Sequence, residues 1–272
     1  RAHVNKKLES VLSKEPRRGL QYAVTIIILL ILLLSASPAL GGARMTTKGF
    51  DIGKNILTGI FTPDTSLLFG LGDSGVMYLI LQTIAIAFLG TLVGAIIAVP
   101  LSFISATNIV PKPVVLVTRF IIMAIRTIPS LVYGLMFIRV TGPGPFAGVM
   151  TLAIVSIGMI SKLFIETIED LDSGILESLD AFGSTLFQKI RYGVLPQLGP
   201  DFISILVYRF DMNLREATIL GLVGAGGIGA PMIFALSAYH WHQVGAILIG
   251  LFVLVFVVEV LSDKLRHKIL HG

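Results

Sequence analysis

The sequence predicts an all-α integral membrane protein with about six transmembrane helices and both termini in the cytoplasm. Hydrophobic residues make up 54% of the 272 positions and charged residues only 14%, whereas soluble domains carry about 25% charged residues. Apolar segments of about 20 residues, the length that crosses a bilayer as a helix, recur along the chain. Lys and Arg flank these segments asymmetrically, which indicates the direction of each crossing.

Six segments have the length and composition of spans: 21–39, 77–106, 113–140, 146–165, 202–223 and 244–261. The second and third are longer than one straight crossing needs, and they contain Pro100 and Pro129. Proline removes a helix hydrogen bond, so we expect a kink or an interruption at each.

An inside N-terminus places most Lys and Arg residues in the cytoplasm, as the positive-inside rule requires. The chain then divides into a cytoplasmic segment at 1–20, a first span at 21–39, an extracytoplasmic loop at 40–76, a transmembrane core at 77–262 and a cytoplasmic tail at 263–272. The core contains a long cytoplasmic loop at 166–201. The net charge of +5 is therefore a topology signal rather than a sign of nucleic-acid binding.

Two segments near the N-terminus have their own interpretations. The basic start, the run TIIILLILLL and the small residues after it also fit a signal peptide. Within the loop at 40–76 the apolar residues Ile52, Ile56, Leu57, Ile60 and Phe61 are spaced as on one face of a helix. That spacing predicts a helix lying on the membrane surface.

Several kinds of site are excluded or disfavoured. The chain has no cysteine, so it has no disulfide, thiolate nucleophile or cysteine metal site. The only Gly-Lys pair, Gly53-Lys54, is not part of a phosphate-binding loop, so the sequence predicts no ATPase site. His240 and His242 flank the lone Trp241. Without a nearby carboxylate they favour an interfacial aromatic anchor with exposed histidines over a metal site.

The longest inner loop carries the pattern ESLDAFGSTLFQKIRYGVLPQLGP. Residues 175–186 fit a short cytoplasmic helix with acidic residues near its start. The loop by itself also fits a solvated amphipathic segment. Its spacing, however, resembles the cytoplasmic loop of permease subunits in ABC importers, which begins Glu-Ala-Ala, continues with Gly and ends Ile-x-Leu-Pro. Glu177, Gly183, Leu195 and Pro196 keep the spacing of that pattern, while Ser178, Leu179 and Gly193 depart from it. With Asp180 and Ala181, the four matching residues form the coupling loop that the resemblance implies.

Three further stretches sharpen the resemblance: YRFDMNLREATILGLVGAGGIG, RTIPSLVYGL and YGVLPQ. Together they resemble the permease subunit of phosphonate-type ABC importers over about residues 77–260. The resemblance implies a type I importer fold in a bacterial inner membrane, a second copy of the chain, two ABC ATPases and an extracytoplasmic binding protein. It further implies that ATP and Mg²⁺ are bound by the ATPases and not by this chain, that the inner loop docks on them, and that the substrate is a small anion.

Ionisable residues within the predicted spans are costly in a bilayer, so they face protein or water. Six are basic and four acidic: Arg119, Arg126, Arg139, Lys162, Arg209, Arg215, Glu166, Asp211, Glu216 and Glu259. Asp211 and Arg215, and Lys162 and Glu166, are spaced to pair along a helix. Arg119 and Arg126 share one helix face, and Arg209 and Asn213 form a parallel row.

These charges have two interpretations. The spaced pairs either neutralise each other and hold helices together or line a translocation pathway. Arg126 and Arg209, which have no evident partner in the sequence, favour a pathway for a small dianion. The predicted pathway residues are Arg119, Arg126, Arg209, Asp211, Asn213, Arg215 and Glu216.

The segment after the fifth span contains Gly224, Gly226, Gly227 and Gly229. These glycines satisfy the dinucleotide fingerprint, but the fingerprint needs a preceding strand, and here a membrane helix precedes it. The remaining interpretations are close helix packing and a flexible gate. Gly90 and Gly94 likewise predict a packing site between helices.

Three functions stay open on sequence grounds. The first is an importer permease for phosphonate or a related phosphorus oxyanion, driven by a separate ATPase. The second is a permease for methionine or another small solute. The third is a self-contained ion-coupled carrier, which the intramembrane charges would support. An enzyme is disfavoured because no nucleophile–base or metal constellation is evident.

Overall fold

A computed structural model of the chain describes residues 18–40, 47–70 and 72–271, and every regular element in these ranges is helical. The chain divides into two compact units between Lys54 and Asn55. The division falls within the helix Thr47–Phe61.

The first unit contains the helix Arg18–Leu40 (α1) and the beginning of Thr47–Phe61 (α2). The helix α1 covers the first predicted span and has no Asp, Glu, Lys, Arg or His residue after its first position. The amphipathic helix expected in the loop at 40–76 is present as α2. Residues 1–17 of the predicted cytoplasmic segment at 1–20 lie outside the described residues.

The second unit contains the predicted core. Its further elements are α3 (Thr65–Leu68), α4 (Val76–Phe103), α5 (Lys112–Thr127), α6 (Ser130–Thr141), α7 (Pro145–Glu169), α8 (Ser173–Ala181), α9 (Leu186–Gln188), a π-helical segment (Lys189–Val194), α10 (Leu195–Leu222), α11 (Gly229–Ser237) and α12 (Trp241–His271). The helix α12 continues through most of the predicted cytoplasmic tail, and α10 begins seven residues before the predicted fifth span.

Among the described helices, three are long and apolar enough to cross a membrane: Val76–Phe103, Pro145–Glu169 and Trp241–Ile269. The pair α5 and α6 makes a fourth if both halves belong to one span, and it is bent by 84°. The interruption predicted at Pro129 is confirmed. Pro100 does not interrupt α4, which ends three residues later at Phe103.

The helices α4 and α7 form the centre of the second unit and approach closely at two glycines. A Cβ atom added to Gly90 would lie 2.5 Å from the Cβ of Leu152, and one added to Gly94 would lie 2.5 Å from the Cβ of Ser156. The packing site predicted at these glycines is confirmed. Since residue numbers rise together along both helices, α4 and α7 run parallel.

An aromatic cluster joins α4, α7 and α10 at the predicted cytoplasmic end. The rings of Phe164 and Phe202 stack with centroids 4.0 Å apart, and Phe103 meets Phe202 edge-on at 6.3 Å. Phe164 is fully buried. This cluster fixes the start of α10 against the core and thereby sets the direction in which its polar residues point.

Candidate functional site: a polar network between the helices

A buried polar cluster ties α10 to α7 and α4. Ser156 Oγ accepts a hydrogen bond from Arg209 Nε at 3.1 Å and from Asn213 Nδ2 at 2.8 Å. Asn213 Nδ2 also donates to Thr91 Oγ1 at 2.8 Å. Arg209 is 2% exposed and Asn213 is 0% exposed. The parallel row predicted for Arg209 and Asn213 is therefore present, and within one chain it faces the neighbouring helices.

Arg209 has a charged partner two turns along its own helix. Its Nη2 donates to Glu216 Oε2 at 3.3 Å. The expectation that Arg209 is unpaired is wrong, because a long arginine side chain reaches a carboxylate seven positions away. Among the described residues, Asn213 Oδ1 is buried without a hydrogen-bond partner.

The pair predicted between Asp211 and Arg215 is confirmed. Arg215 Nη2 donates to Asp211 Oδ2 at 3.1 Å and lies 3.5 Å from Glu259 Oε2 on α12. Asp211 is buried, whereas about half of the Arg215 side chain is exposed. This second cluster links α10 to α12.

A groove of about 250 Å³ runs between α5 and α7 and carries most of the remaining charge. Arg119, Arg126 and Lys162 line it together with Glu166 and Glu169. Arg119 and Arg126 thus share one face of α5, as predicted. The groove joins residues that the sequence places about 40 positions apart.

The three cations of the groove are engaged to different degrees. Arg119 donates from Nη2 to Glu169 Oε1 at 2.6 Å and from Nε to the Ser105 carbonyl at 3.0 Å. Lys162 Nζ lies 3.3 Å from Glu166 Oε1, which confirms the predicted pair. Arg126 has no hydrogen bond or ion pair within the described ranges of the chain.

Glu169 is a site residue that the sequence did not reveal. Besides Arg119, it accepts hydrogen bonds from the backbone N of Thr107 at 2.6 Å and from the Thr107 hydroxyl. Asn108 Nδ2 donates to the Ile168 carbonyl at 2.7 Å. These contacts fasten the α4–α5 loop to the end of α7, where the inner loop begins. The one sequence signal that could have identified Glu169 as a site residue is its position close to the end of the fourth predicted span.

Glu169 also changes the charge balance. With it, the six cations of the predicted spans stand against five carboxylates. Four cations are paired, and Arg126 and Arg139 have no partner among the described residues. The excess is one positive charge per chain rather than the two expected from the sequence.

The inner loop is helical in pieces rather than as the single helix expected at 175–186. The helix α8 ends at Ala181, and Gly183 adopts φ +69°, a conformation that favours glycine. The amide of Gly183 donates to the Asp180 carbonyl at 2.9 Å, and Ser184 donates to the Leu179 carbonyl at 3.1 Å. These bonds close the helix end, after which α9 begins at Leu186.

The departures of this loop from the importer pattern compensate each other. A Cβ added to Gly193 would lie 2.5 Å from Cδ1 of Leu179. The large residue at position 179 therefore occupies space that the small residue at 193 leaves free. Asp180 also forms an ion pair with Lys189. Both contacts hold α8 against the π-helical segment that leads into α10.

The inner loop presents an exposed surface. Glu177, Asp180 and Ala181 on α8 are exposed, and so are the aromatic residues Phe182, Phe187 and Tyr192. Leu195 is partly buried, and Pro196 lies in the first turn of α10, where proline is tolerated. Exposed aromatic residues on a segment outside the predicted spans are typical of a protein-binding surface.

The glycine-rich segment is held by side chains of α4. Gln82 Oε1 accepts a hydrogen bond from the amide of Gly227 at 2.8 Å, and Thr83 Oγ1 accepts one from Ile228 at 2.9 Å. Gly224, Gly226 and Gly227 have φ values of 102°, 81° and 74°.

Close approach to other backbone accompanies this conformation. A Cβ on Gly226 would lie 2.9 Å from the Cα of Pro145, and one on Gly229 would lie 2.9 Å from the Cα of Gly221. The glycines thus permit tight packing in the conformation described.

The predicted outer end of α12 contacts the chain after α2. Asp64 caps α3, and hydrogen bonds from the Ser66 hydroxyl and the Leu67 amide lower the pKa of Asp64. His242 Nδ1 lies 2.6 Å from the Thr62 carbonyl.

Trp241 meets Tyr239 edge-on at 5.7 Å. His242 is exposed, as expected. The described residues contain no group of three or more His, Cys, Asp or Glu side chains arranged to hold a metal ion.

Comparisons with known proteins cover most of the chain. Residues 98–270 match the family described as binding-protein-dependent transport system inner membrane component. The phosphite transport system permease protein PtxC of Stutzerimonas stutzeri is 35% identical over 188 residues, which are 69% of this chain and 68% of that protein. The putative phosphite transport system permease protein HtxC of the same organism is 30% identical and covers 98% of this chain and 95% of its own length.

A third relative and two solved structures extend the comparison. The phosphate-import permease protein PhnE of Mycolicibacterium smegmatis is 38% identical over 69% of this chain and 36% of its own length. An inward-facing MetNI methionine ABC transporter has a chain with TM-score 0.61, 20% identity and coverage of 71% of this chain and 95% of that chain. An amino acid ABC transporter crystallised with histidines gives TM-score 0.58, 22% identity and coverage of 82% and 100%. At these identities the structures show a shared fold alone.

Proposed function

Since this chain belongs to the family of binding-protein-dependent transport system inner membrane components, we propose that it imports a phosphorus oxyanion such as phosphite, phosphonate or phosphate. The chain is a transport subunit of an ABC importer in the inner membrane and is not itself an ATPase. The names of the relatives at 30–38% identity support the class of substrate.

The observation that carries the substrate proposal is the groove between α5 and α7. It is accessible, and its three cations face two carboxylates. An excess of positive charge lowers the electrostatic barrier for a dianion, whereas it offers no advantage to a zwitterionic amino acid. Conduction also needs weak contacts, and the partly exposed side chains of this groove suit that need.

In the proposed assembly, two copies of this chain cross the membrane with six helices each. A binding protein delivers the substrate from outside, and two ABC ATPases bind ATP and Mg²⁺ on the cytoplasmic side. The helices α1 and α10 would supply the two crossings beyond the four candidates. Four charged residues lie in the part of α10 that falls within the predicted span 202–223 and make it unusually polar for a span, but they neutralise each other in two pairs.

The inner loop is proposed as the docking surface for the ATPase. Phe182, Phe187 and Tyr192 supply exposed apolar area, and Glu177 supplies an exposed charge. Because α8 packs on the π-helical segment through Leu179, a push on α8 is transmitted into α10.

The polar residues of the spans divide into two proposed roles. Arg209, Asp211 and Asn213 are buried between helices. We assign them to a polar joint, meaning a set of interhelical polar contacts that stays intact while the helices move together. The accessible cations Arg119 and Arg126 would line the pathway. Arg215 and Glu216 would join them, because both side chains reach the surface of α10.

The glycine-rich segment is proposed as a packed closure on the outer side. Gly224, Gly226, Gly227 and Gly229 allow the close contacts described, and two side-chain hydrogen bonds hold the segment to α4. Opening a path here would need both bonds to break, so this packing is compatible with a gate.

The test is uptake by the purified complex. The tagged chain is isolated from its host with the proteins that accompany it, reconstituted in liposomes and supplied with ATP and with phosphite, methylphosphonate or phosphate. We expect an ABC ATPase to co-purify and ATP-dependent uptake of at least one of these anions. Uptake of methionine but of none of the three would overturn the substrate, and uptake without ATP would support a self-contained carrier.

Gly183→Arg tests the docking surface separately. A Cβ at Gly183 meets nothing within 4 Å, so the substitution places a large cation on the surface without a clash, although the positive φ adds about 1 kcal/mol of local strain. We expect folded protein whose ATPase activity no longer drives uptake. Gly199→Arg, also in open space, is the matched control and should retain uptake. Uptake by Gly183→Arg at the level of this control would contradict the docking role.

A further inference from the structure

The groove between α5 and α7 contains two cations that are available to a ligand. Arg119 is held by Glu169 and by the Ser105 carbonyl, so its guanidinium is already bound. Arg126 has no partner among the described residues, and Lys162 has only Glu166. Both side chains of the Lys162–Glu166 pair are about half exposed, which makes such a pair weak.

Gly158 sets the position of Arg126. A Cβ at this glycine would lie 2.6 Å from the Cγ of Arg126, so the arginine stem crosses α7 in direct contact with its backbone. Lys162 follows Gly158 by one helical turn on the same face of α7. The absence of a side chain at position 158 thus brings the Arg126 stem onto the face of α7 that carries the lysine.

The two cations are chemically complementary. A guanidinium is planar and donates two parallel hydrogen bonds to a tetrahedral oxyanion, whereas an ammonium acts as a compact point charge. The Glu166 carboxylate forms an ion pair with Lys162 when no other anion is bound there. A dianion can replace it, because the exposed Glu166 side chain is free to turn into water.

We propose that Arg126 and Lys162 form a transient binding site for a doubly charged phosphorus oxyanion, with Glu166 as the internal competitor for Lys162. Arg126 binds two oxygen atoms of the anion, and Lys162 exchanges its carboxylate partner for a third. This inference rests on the proposed function, and it adds Lys162, Glu166 and Gly158 to the residues of the pathway. The site selects a dianion over a zwitterion because it offers two positive charges and only one competing carboxylate.

The experiment measures binding to the complex without the binding protein and without nucleotide. Phosphite is added to the transporter in maltoside micelles, and the broadening of its ³¹P resonance is followed as the phosphite concentration rises. We expect Arg126→Gln and Lys162→Gln to weaken binding at least about tenfold, since each removes a charge-assisted contact. We expect Glu166→Gln to strengthen it about twofold to fivefold, the value of an exposed ion pair.

Arg139→Gln is the matched control, because Arg139 is also exposed and without a described partner but lies outside the groove. Its binding should equal that of the unmodified chain. The site would be overturned if the Arg126 and Lys162 variants bound phosphite as well as the unmodified chain does. It would also be overturned if the unmodified complex did not broaden the phosphite resonance. If the Arg126 variant does not fold, Glu166→Gln decides, because unfolding cannot produce tighter binding; no gain would overturn the proposal.

Uptake separates this inference from the proposed function. Phosphite uptake together with binding that does not depend on Arg126 would refute the site and leave the function standing. Binding that depends on Arg126, without uptake of any phosphorus oxyanion, would refute the function and leave the site standing.

Discussion

Ser156→Ala is the sharpest test of the polar joint between α10, α7 and α4. The substitution removes one hydroxyl that accepts hydrogen bonds from both Arg209 and Asn213. The Cβ atom that faces Gly94 stays in place, so the packing of α4 on α7 is preserved. The change therefore isolates hydrogen bonding from volume more cleanly than most core substitutions.

The magnitude follows from what each donor retains. An unsatisfied buried donor costs about 1–3 kcal/mol, but Asn213 keeps Thr91 and Arg209 keeps Glu216. Interhelical hydrogen bonds within membranes average about 0.6 kcal/mol. Two such bonds are lost, so we expect the free energy of unfolding to fall by about 1 kcal/mol.

The same helix supplies the control. Ser161 is as fully buried as Ser156, but its hydroxyl has no hydrogen-bond partner among the described residues. Ser161→Ala should leave the free energy of unfolding unchanged or raise it, because a buried unpaired hydroxyl disappears. Titration of the purified chain with SDS in mixed micelles, followed by circular dichroism, measures both variants. An equal or larger loss for Ser161→Ala would refute the reasoning.

Three further predictions concern helix packing, the Glu169 contacts that fasten the α4–α5 loop to α7, and pH. Gly94→Ala should lower the free energy of unfolding by about 1–3 kcal/mol, because the added methyl group overpacks the contact with α7. Gly199→Ala lies in open space within α10 and should leave the free energy of unfolding unchanged or raise it. Glu169→Gln should lower the free energy of unfolding by about 1–2 kcal/mol, because Glu169 accepts charge-assisted hydrogen bonds. The exposed Glu166→Gln should lower it by less than about 0.5 kcal/mol, and equal losses would contradict a stabilising role for the Glu169 contacts. Asp64 has a lowered pKa in the folded chain, so its cap stabilises α3 above the usual carboxyl pKa of about 4 and is lost as pH falls through the lower folded value. Asp64→Asn should remove this acid dependence, as measured by amide exchange in α3.

Local signals in the sequence predicted the features that depend on near neighbours. The break at Pro129, the pairs Asp211–Arg215 and Lys162–Glu166, and the close approach at Gly94 each follow from spacing within one helix or from one residue type. Such signals are reliable because the period of the helix determines which side chains share a face.

Features that depend on the packing of separate elements could not be predicted in this way. Glu169 reaches Thr107 and Arg119 across a separation of 50 to 62 residues, which no spacing rule encodes. The compensation between Leu179 and Gly193 likewise requires the three-dimensional contact. The break at Gly183 is the exception, since glycine is a known helix terminator and the single helix expected there overlooked it.

The single tryptophan, Trp241, which contacts Tyr239, can serve as a spectroscopic probe of the start of α12. Trp241 is the single tryptophan of the sequence and begins α12, where its backbone meets Gly59. Chain produced with fluorotryptophan would give one ¹⁹F resonance, which reports on this junction alone even when the accompanying proteins are unlabelled. The absence of cysteine adds a second channel, because one introduced thiol at any chosen site accepts a label without background from the rest of the chain.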